Sequence, residues 1–248
     1  MIKWCGYTWE SKMEGGRIIH PDKPYMWYSE ECVEQLRDGT VHFKIKEDPK
    51  EVKYWDGTVY HPTMAVGVIR SKEEFDYGTF KASVQCPEGY NLWPSFWLSG
   101  AHSWPPEIDI MEAWSNNNDY FEWLRPQFPY LVPGWSTTTN VHYNQIKNNE
   151  YVRNNIGSRN IPIWKQWHNP TKRFIEYECV WEPDRIIFKV NGHTVRRVGK
   201  RIAHLLTKNI NYKMNVIFNL WHEDPEEYHV EMNTEMIIKD FSYEPYKK

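Results

Sequence analysis

The sequence predicts an all-β sandwich. Three features carry that prediction: many short runs in which apolar and polar residues alternate, turn-forming pairs between those runs, and almost no stretch with helical periodicity. With 248 residues the chain is long enough for one domain with a sizeable core. No internal repeat or low-complexity linker divides it, so residues 1–248 are read as a single domain.

Residues 1–40 are rich in Trp, Tyr, Gly and charge with little periodicity, and Arg17 to Pro24 reads as loop. Val41 to Lys46 alternates (Val41, Phe43 and Ile45 against His42, Lys44 and Lys46), which predicts one half-buried strand. Glu47 to His61 is a polar connection with a turn at Asp56-Gly57, and Met64 to Arg70 is a second apolar strand. Gly78 to Gln85 sets Phe80, Ala82 and Val84 against Lys81, Ser83 and Gln85 before Cys86 to Gly89 turns the chain. Ser95 to Ser99 is a short strand. Ser115 to Thr139 is a long aromatic and polar loop, of a length that tends to be functional inside a compact domain. Thr139 to Gln145 is a strand carrying His142, with Val141 and Tyr143 on its other face. Residues 147–173 hold six cations (Lys147, Arg153, Arg159, Lys165, Lys172, Arg173) against one acid, Glu150. Phe174 to Trp181 alternates again, and Arg185 to Val198 is a hairpin joined at Asn191-Gly192, a pair favoured in type I′ turns. One short helix is expected within Gly199 to Thr207, then closing strands at Lys213 to Trp221 and Glu235 to Tyr243.

Composition excludes several function classes. A net charge of −3 argues against nucleic-acid binding, and no run of eighteen apolar residues spans a membrane. The segment Met1 to Tyr7 lacks the apolar core of a signal peptide. Cys5, Cys32, Cys86 and Cys179 show no zinc spacing; one or two disulfides and four buried thiols both fit them. Aromatics reach 16%, with 14 Trp and 16 Tyr, more than a core this size needs, so part of that surface is expected to line a groove.

The chemistry concentrates in Trp104-Pro-Pro-Glu107-Ile-Asp109-Ile-Met-Glu112-Ala-Trp114. On a strand, Glu107 and Asp109 share one face and Ile108 and Ile110 the other. Strict alternation would put Met111, not Glu112, next on the acid face. A β-bulge of one residue would restore the phase and line up all three carboxyls. Crowded carboxyls cannot all ionise freely, and a pair with separated pKa values is what glycoside hydrolysis uses. The plain alternative is a half-exposed strand with a solvated face. Trp93, Trp97, Trp104 and Trp114 around the acids favour the site, because planar aromatics suit the apolar faces of sugars.

The run Glu107 to Glu112 resembles the signature of glycoside hydrolase family 16 in its bulged, laminarinase-like form. Tyr77 to Gln85 and Leu92 to Leu98 are similar to that family's approach strands, and the likeness extends from about Gly57 to Tyr246. The resemblance implies a β-jelly roll of two curved antiparallel sheets with a cleft on the concave face. It also implies a retaining mechanism: Glu107 as nucleophile, Asp109 holding it, Glu112 as acid and then base, with the two glutamate carboxyls about 5–5.5 Å apart. Sugar contacts are expected from Trp93, Trp97, Trp104, Trp114, His142 and Trp221, with Asn219 and His222 weaker. Catalysis would need no cofactor. A structural Ca²⁺ is implied at Asp240 and Gly39, although one carboxylate is little for a cation that takes six to eight oxygens.

The implied partner is a polysaccharide, met outside the cytoplasm (extracellular or periplasmic) by a monomer. A β-1,3- or mixed-linkage β-glucan is the default. A sulfated or agar-type galactan (carrageenan, porphyran, agarose) is the alternative, and the basic stretch 147–173 favours it if it borders the cleft. A non-catalytic carbohydrate-binding protein and a transglycosylase are further readings. The first gains nothing from three mutually repelling acids.

Overall fold

The computed structural model describes residues 1–89, 91–114, 135–147, 150–157, 159–163, 169–207, 212–226 and 229–247. It is an all-β sandwich. One nine-stranded sheet runs in the order Ile2–Trp4, Tyr7–Glu10, Val68–Ser71, Met214–His222, Leu92–Gly100, Glu107–Trp114, Trp135–Lys147, Glu150–Asn155, with Arg159–Ile163 also on Trp135–Lys147. A seven-stranded sheet covers it: His193–Val198, Arg185–Val190, Ile175–Glu182, Gly78–Gln85, Met236–Pro245, Val41–Phe43, Val33–Gln35. The core between them is built from alternate residues of both. Gly78–Gln85 buries every second residue, Phe80, Ala82 and Val84 among them. From the facing sheet Phe96 and Phe218, paired in register, stack at 4.6 Å. The helix, α1 (Lys200–Thr207), buries Ala203 and Leu206.

The hairpin forms as its turn pair predicts, with Asn191 and Gly192 both at positive φ (47° and 77°). Two predicted strands are each broken. Val41–Phe43 pairs with the last strand, whereas Ile45–Glu47 belongs to a four-stranded sheet with Ile19–His20, Lys23–Tyr28 and Met64–Val66. The second apolar run likewise changes sheet at Gly67. The breaks coincide: the Lys44 N–H bonds the Cys32 carbonyl at 2.9 Å and the Gly67 N–H bonds the Lys44 carbonyl at 3.1 Å. A Cβ at Gly67 would stand 2.6 Å from the Cys32 oxygen, so only glycine fits this crossing.

The first forty residues hold strands where little periodicity is visible, and Arg17 to Pro24 includes Ile19–His20 and the start of Lys23–Tyr28. The polar connection before His61 contains a two-stranded hairpin, Val52–Lys53 with Val59–Tyr60. All four cysteines are free thiols, three buried and Cys5 exposed. Much of the tryptophan is core: Trp4, Trp9, Trp27, Trp181 and Trp221 are buried. Of the predicted loop Ser115 to Thr139, residues 115–134 lie outside the described residues, and 135–139 instead begin the strand Trp135–Lys147, held between Glu107–Trp114 and Arg159–Ile163.

Candidate active site

The bulge is present in Glu107–Trp114. Asp109 opposes Trp97 on one neighbour and Asn140 on the other, and Glu112 opposes Ser95 and Thr138. Three steps on this strand thus match two on each neighbour. Met111 pairs with Phe96, leaving Ile110 as the extra residue, and both Ile110 and Met111 enter the core. The carboxyls therefore fall on one face in three cross-strand rows: Ser99–Glu107–His142, Trp97–Asp109–Asn140 and Ser95–Glu112–Thr138. Trp93, next along the same face, pairs with Trp221.

Each glutamate is held by an indole. Trp104 Nε1 donates to Glu107 Oε2 at 2.7 Å, and Trp93 Nε1 donates to Glu112 Oε1 at 3.1 Å. Thr138 Oγ1 donates to Glu112 Oε2 at 3.4 Å. His142 Nε2 lies 3.3 Å from both Glu107 Oε1 and Asp109 Oδ2, and 3.1 Å from Asn140 Nδ2. Asp109 is itself hydrogen-bonded to Glu107.

Burial decides the electrostatics. Side-chain exposure is 14% for Glu107 and 6% for Asp109. All three carboxyls are held above their ordinary pKa, chiefly because the ionised form is desolvated. The Asp109 charge adds to the rise at Glu107, and the Glu112 charge adds to it at Asp109. His142 and the Trp104 N–H pull Glu107 back, while the Trp93 N–H and then His142 pull Glu112 back. The row thus carries fewer than three negative charges at moderately acidic pH. Among the described residues, three potential metal-ligating side chains converge within 4.8 Å of one another only at Glu107, Asp109 and His142.

The remaining sequence candidates separate. Trp104 is 42% exposed at the mouth of the row, its ring 5.9 Å from that of His142. Trp97 shares the Asp109 row and donates to Asn219 Oδ1 at 2.7 Å. Trp221 departs from the expected sugar platform. It is 8% exposed, parallel to Tyr28 at 6.2 Å and edge-on to Trp93 at 5.4 Å, so it braces the cleft floor. His222 is buried, with Nδ1 on the Glu223 carbonyl. The Trp114 side chain lies outside the described residues. Asp240 accepts the Ser83 N–H at 3.2 Å, and the Gly39 carbonyl accepts the Trp4 indole at 2.7 Å. One carboxylate and one occupied carbonyl fall short of the oxygen set calcium takes.

Thr138 and Asn140 were not singled out from the sequence, although their period-two spacing with His142 is the signal that finds them. Of the basic stretch, Arg153 reaches the cleft, its guanidinium carbon 4.9 Å from the Trp104 ring centre. Lys172 pairs instead with Glu88. Lys165 and the Arg159 side chain lie outside the described residues.

The family model of glycosyl hydrolases family 16 matches residues 23–237. A galactan endo-β-1,3-galactanase of Flammulina velutipes is 35% identical over 60 residues, 22% of this chain and 24% of that protein. A β-glucanase of Rhodothermus marinus is 30% identical over 103 residues, 38% of this chain and 34% of that protein. The matches thus span about a quarter and a third of these curated relatives. Among solved structures, the κ-carrageenase of Pseudoalteromonas carrageenovora in complex with a κ-carrageenan oligotetrasaccharide superposes with a TM-score of 0.66 at 14% identity, covering 95% of this chain and 87% of that one.

Proposed function

Because the chain belongs to glycosyl hydrolase family 16, we propose that it is a retaining endo-glycosidase that cuts internal β-glycosidic bonds of a polysaccharide. The observation that carries the proposal is the bulged row in which Glu107 and Glu112 share one face, each under its own indole donor. The Glu107 carboxylate attacks the anomeric carbon. The bond to the leaving sugar's oxygen breaks, and Glu112 delivers its proton to that oxygen. In the second step water attacks the same carbon, Glu112 takes its proton, and Glu107 leaves as carboxylate. Asp109 acts through Glu107 as a positioning residue. No step needs a metal or cofactor. The enzyme works as a monomer on polymer outside the cytoplasm.

A β-1,3- or mixed-linkage glucan suits the aromatic walls, and the Rhodothermus marinus relative is a β-glucanase. A specific observation favours a second substrate: Arg153 stands over Trp104, whose N–H holds Glu107. A guanidinium there suits the sulfate of a galactan. Reducing-end release from laminarin, mixed-linkage glucan, agarose, porphyran and κ-carrageenan tests both, with Glu112→Gln as control. The expected result is release from one class, slowed about 10²-fold or more in the variant. Release at the parent rate from Glu112→Gln would overturn the proposal.

A further inference from the structure

The other end of the acid row also carries cations, and neither belongs to the machinery above. Lys23 Nζ stands 4.9 Å from the centre of the Trp93 ring, the same tryptophan that donates to Glu112. His20 pairs with Lys23 across a tight turn, and its ring meets Trp221 at 5.8 Å. The Tyr28 N–H bonds the Ile18 carbonyl at 2.7 Å, which brings the neighbouring Arg17 to the same wall. There its charge bears on both His20 and Tyr28.

Arg17 Nε is buried and, among the described residues, bonds no protein group. Buried N–H donors are rarely left this way, and a ligand acceptor is one means of satisfying them. Asp22 lies 4.0 Å from His20, and the Asp224 charge reaches His222. Among the described residues no carboxylate pairs with Arg17 or Lys23. Burial first, and then the Arg17 charge, hold the His20 imidazole below its ordinary pKa. At neutral pH it therefore offers a hydrogen-bonding edge between two fixed cations.

We propose that Arg17 and Lys23, with His20 between them, form a subsite for an oxyanion, a sulfate ester or a carboxylate, on a sugar bound beside Trp93. This rests on the glycosidase reading and deepens it, adding a charge-reading wall at the Glu112 end. Lys23 covers one face of the indole through a cation–π contact, which is weaker than a charge-assisted bond to an oxyanion. An anionic sugar draws the ammonium off the ring and uncovers the face for stacking.

The test uses the intact chain carrying Glu112→Gln, so that bound glycan is not consumed. Binding is measured against two matched pairs: a sulfated galactan with its desulfated form, and a hexuronate-bearing glycan with its carboxyl-reduced form. The expected result is tighter binding of one charged form, with the preferred pair identifying sulfate or carboxylate. Adding Arg17→Gln and Lys23→Gln raises the Kd for that form by about tenfold or more, with an unchanged melting transition. If the double substitution unfolds, Lys23→Gln alone carries the test. Equal affinity within both pairs, no binding of either charged form, or a Kd unmoved by the substitutions would overturn the subsite. Binding that depends on charge without reducing-end release by the parent chain would instead sink the hydrolase reading and leave the subsite standing.

Discussion

Glu107 and Glu112 are the same chemical group on one strand and one face, yet the two ends of their row are built differently. At Glu107 the indole donor is the shorter, 2.7 Å, and an imidazole nitrogen adds a second contact at 3.3 Å. At Glu112 the donors are longer, 3.1 Å from Trp93 and 3.4 Å from Thr138. Burial pushes both pKa values up. Burial and the Asp109 charge push Glu107 well above its ordinary value, against the pull of His142 and the Trp104 N–H, whereas Glu112 is raised less and is pulled back by the Trp93 N–H, His142 and Thr138. One residue type thus meets two different surroundings, and the bulge puts both carboxyls on one face.

Removing each carboxyl in turn separates the two ends of the row. Glu107→Gln is expected to lower kcat on the order of 10⁴-fold or more, since no other group forms the covalent intermediate. It should also raise the Tm near neutral pH. A raised folded-state pKa means that the folded chain binds more protons than the unfolded one between the ordinary value and the raised one, so stability falls as pH climbs through that window. The glutamine variant lacks that loss, and thermal melts at several pH values read it directly. Glu112→Gln is expected to cost about 10²–10⁴-fold in kcat, the range typical of a lost general acid–base, and less for substrates with good leaving groups.

Exchanging the indole donors probes what each carboxyl owes to its own N–H. Hydrogen bonds to charged groups contribute about 1.5–3 kcal/mol, so Trp104→Phe is expected to reduce kcat/KM roughly 10–100-fold. Trp93→Phe is expected to do less, because its bond is longer. The pH profiles separate them further. Losing an N–H that favours the anion raises the pKa of the carboxyl it served. Trp104→Phe should therefore move the acid limb, governed by Glu107, to higher pH. Trp93→Phe should move the alkaline limb, governed by Glu112, in the same direction. The smallest effect is expected at Thr138→Val, a few-fold in kcat/KM, since its hydroxyl sits at the limit of a hydrogen bond.

Much of this was legible in the sequence where structure repeats with a fixed local period. The clean alternation of Gly78 to Gln85, the Asn191-Gly192 turn and the phase slip between Asp109 and Glu112 all reappear in the fold. Local period is silent where a strand is two or three residues long or where a run changes sheets. That is why the sheet holding Ile19–His20 and Lys23–Tyr28, and the crossing at Gly67, were not foreseen. Composition predicts that part of the aromatic surface lines a groove, and Trp93, Trp97 and Trp104 do stand at the acid row, but it does not say which tryptophans are core. Burial of Trp9, Trp181 and Trp221 depends on partners distant in sequence, such as Phe218, Phe80 and Tyr28. Within the site the acids could be aligned from spacing alone. The donors that distinguish them could not, because Thr138 meets Glu112 only through strand pairing.

The anomeric configuration of the first reducing ends, followed by proton NMR on the polysaccharide that the panel identifies, decides whether Glu107 is the nucleophile. A carboxylate nucleophile at Glu107 with Glu112 as acid and base predicts that the β configuration is retained at first and then mutarotates. Initial release of the α anomer would mean direct attack by water, and would contradict the assignment of Glu107 as nucleophile.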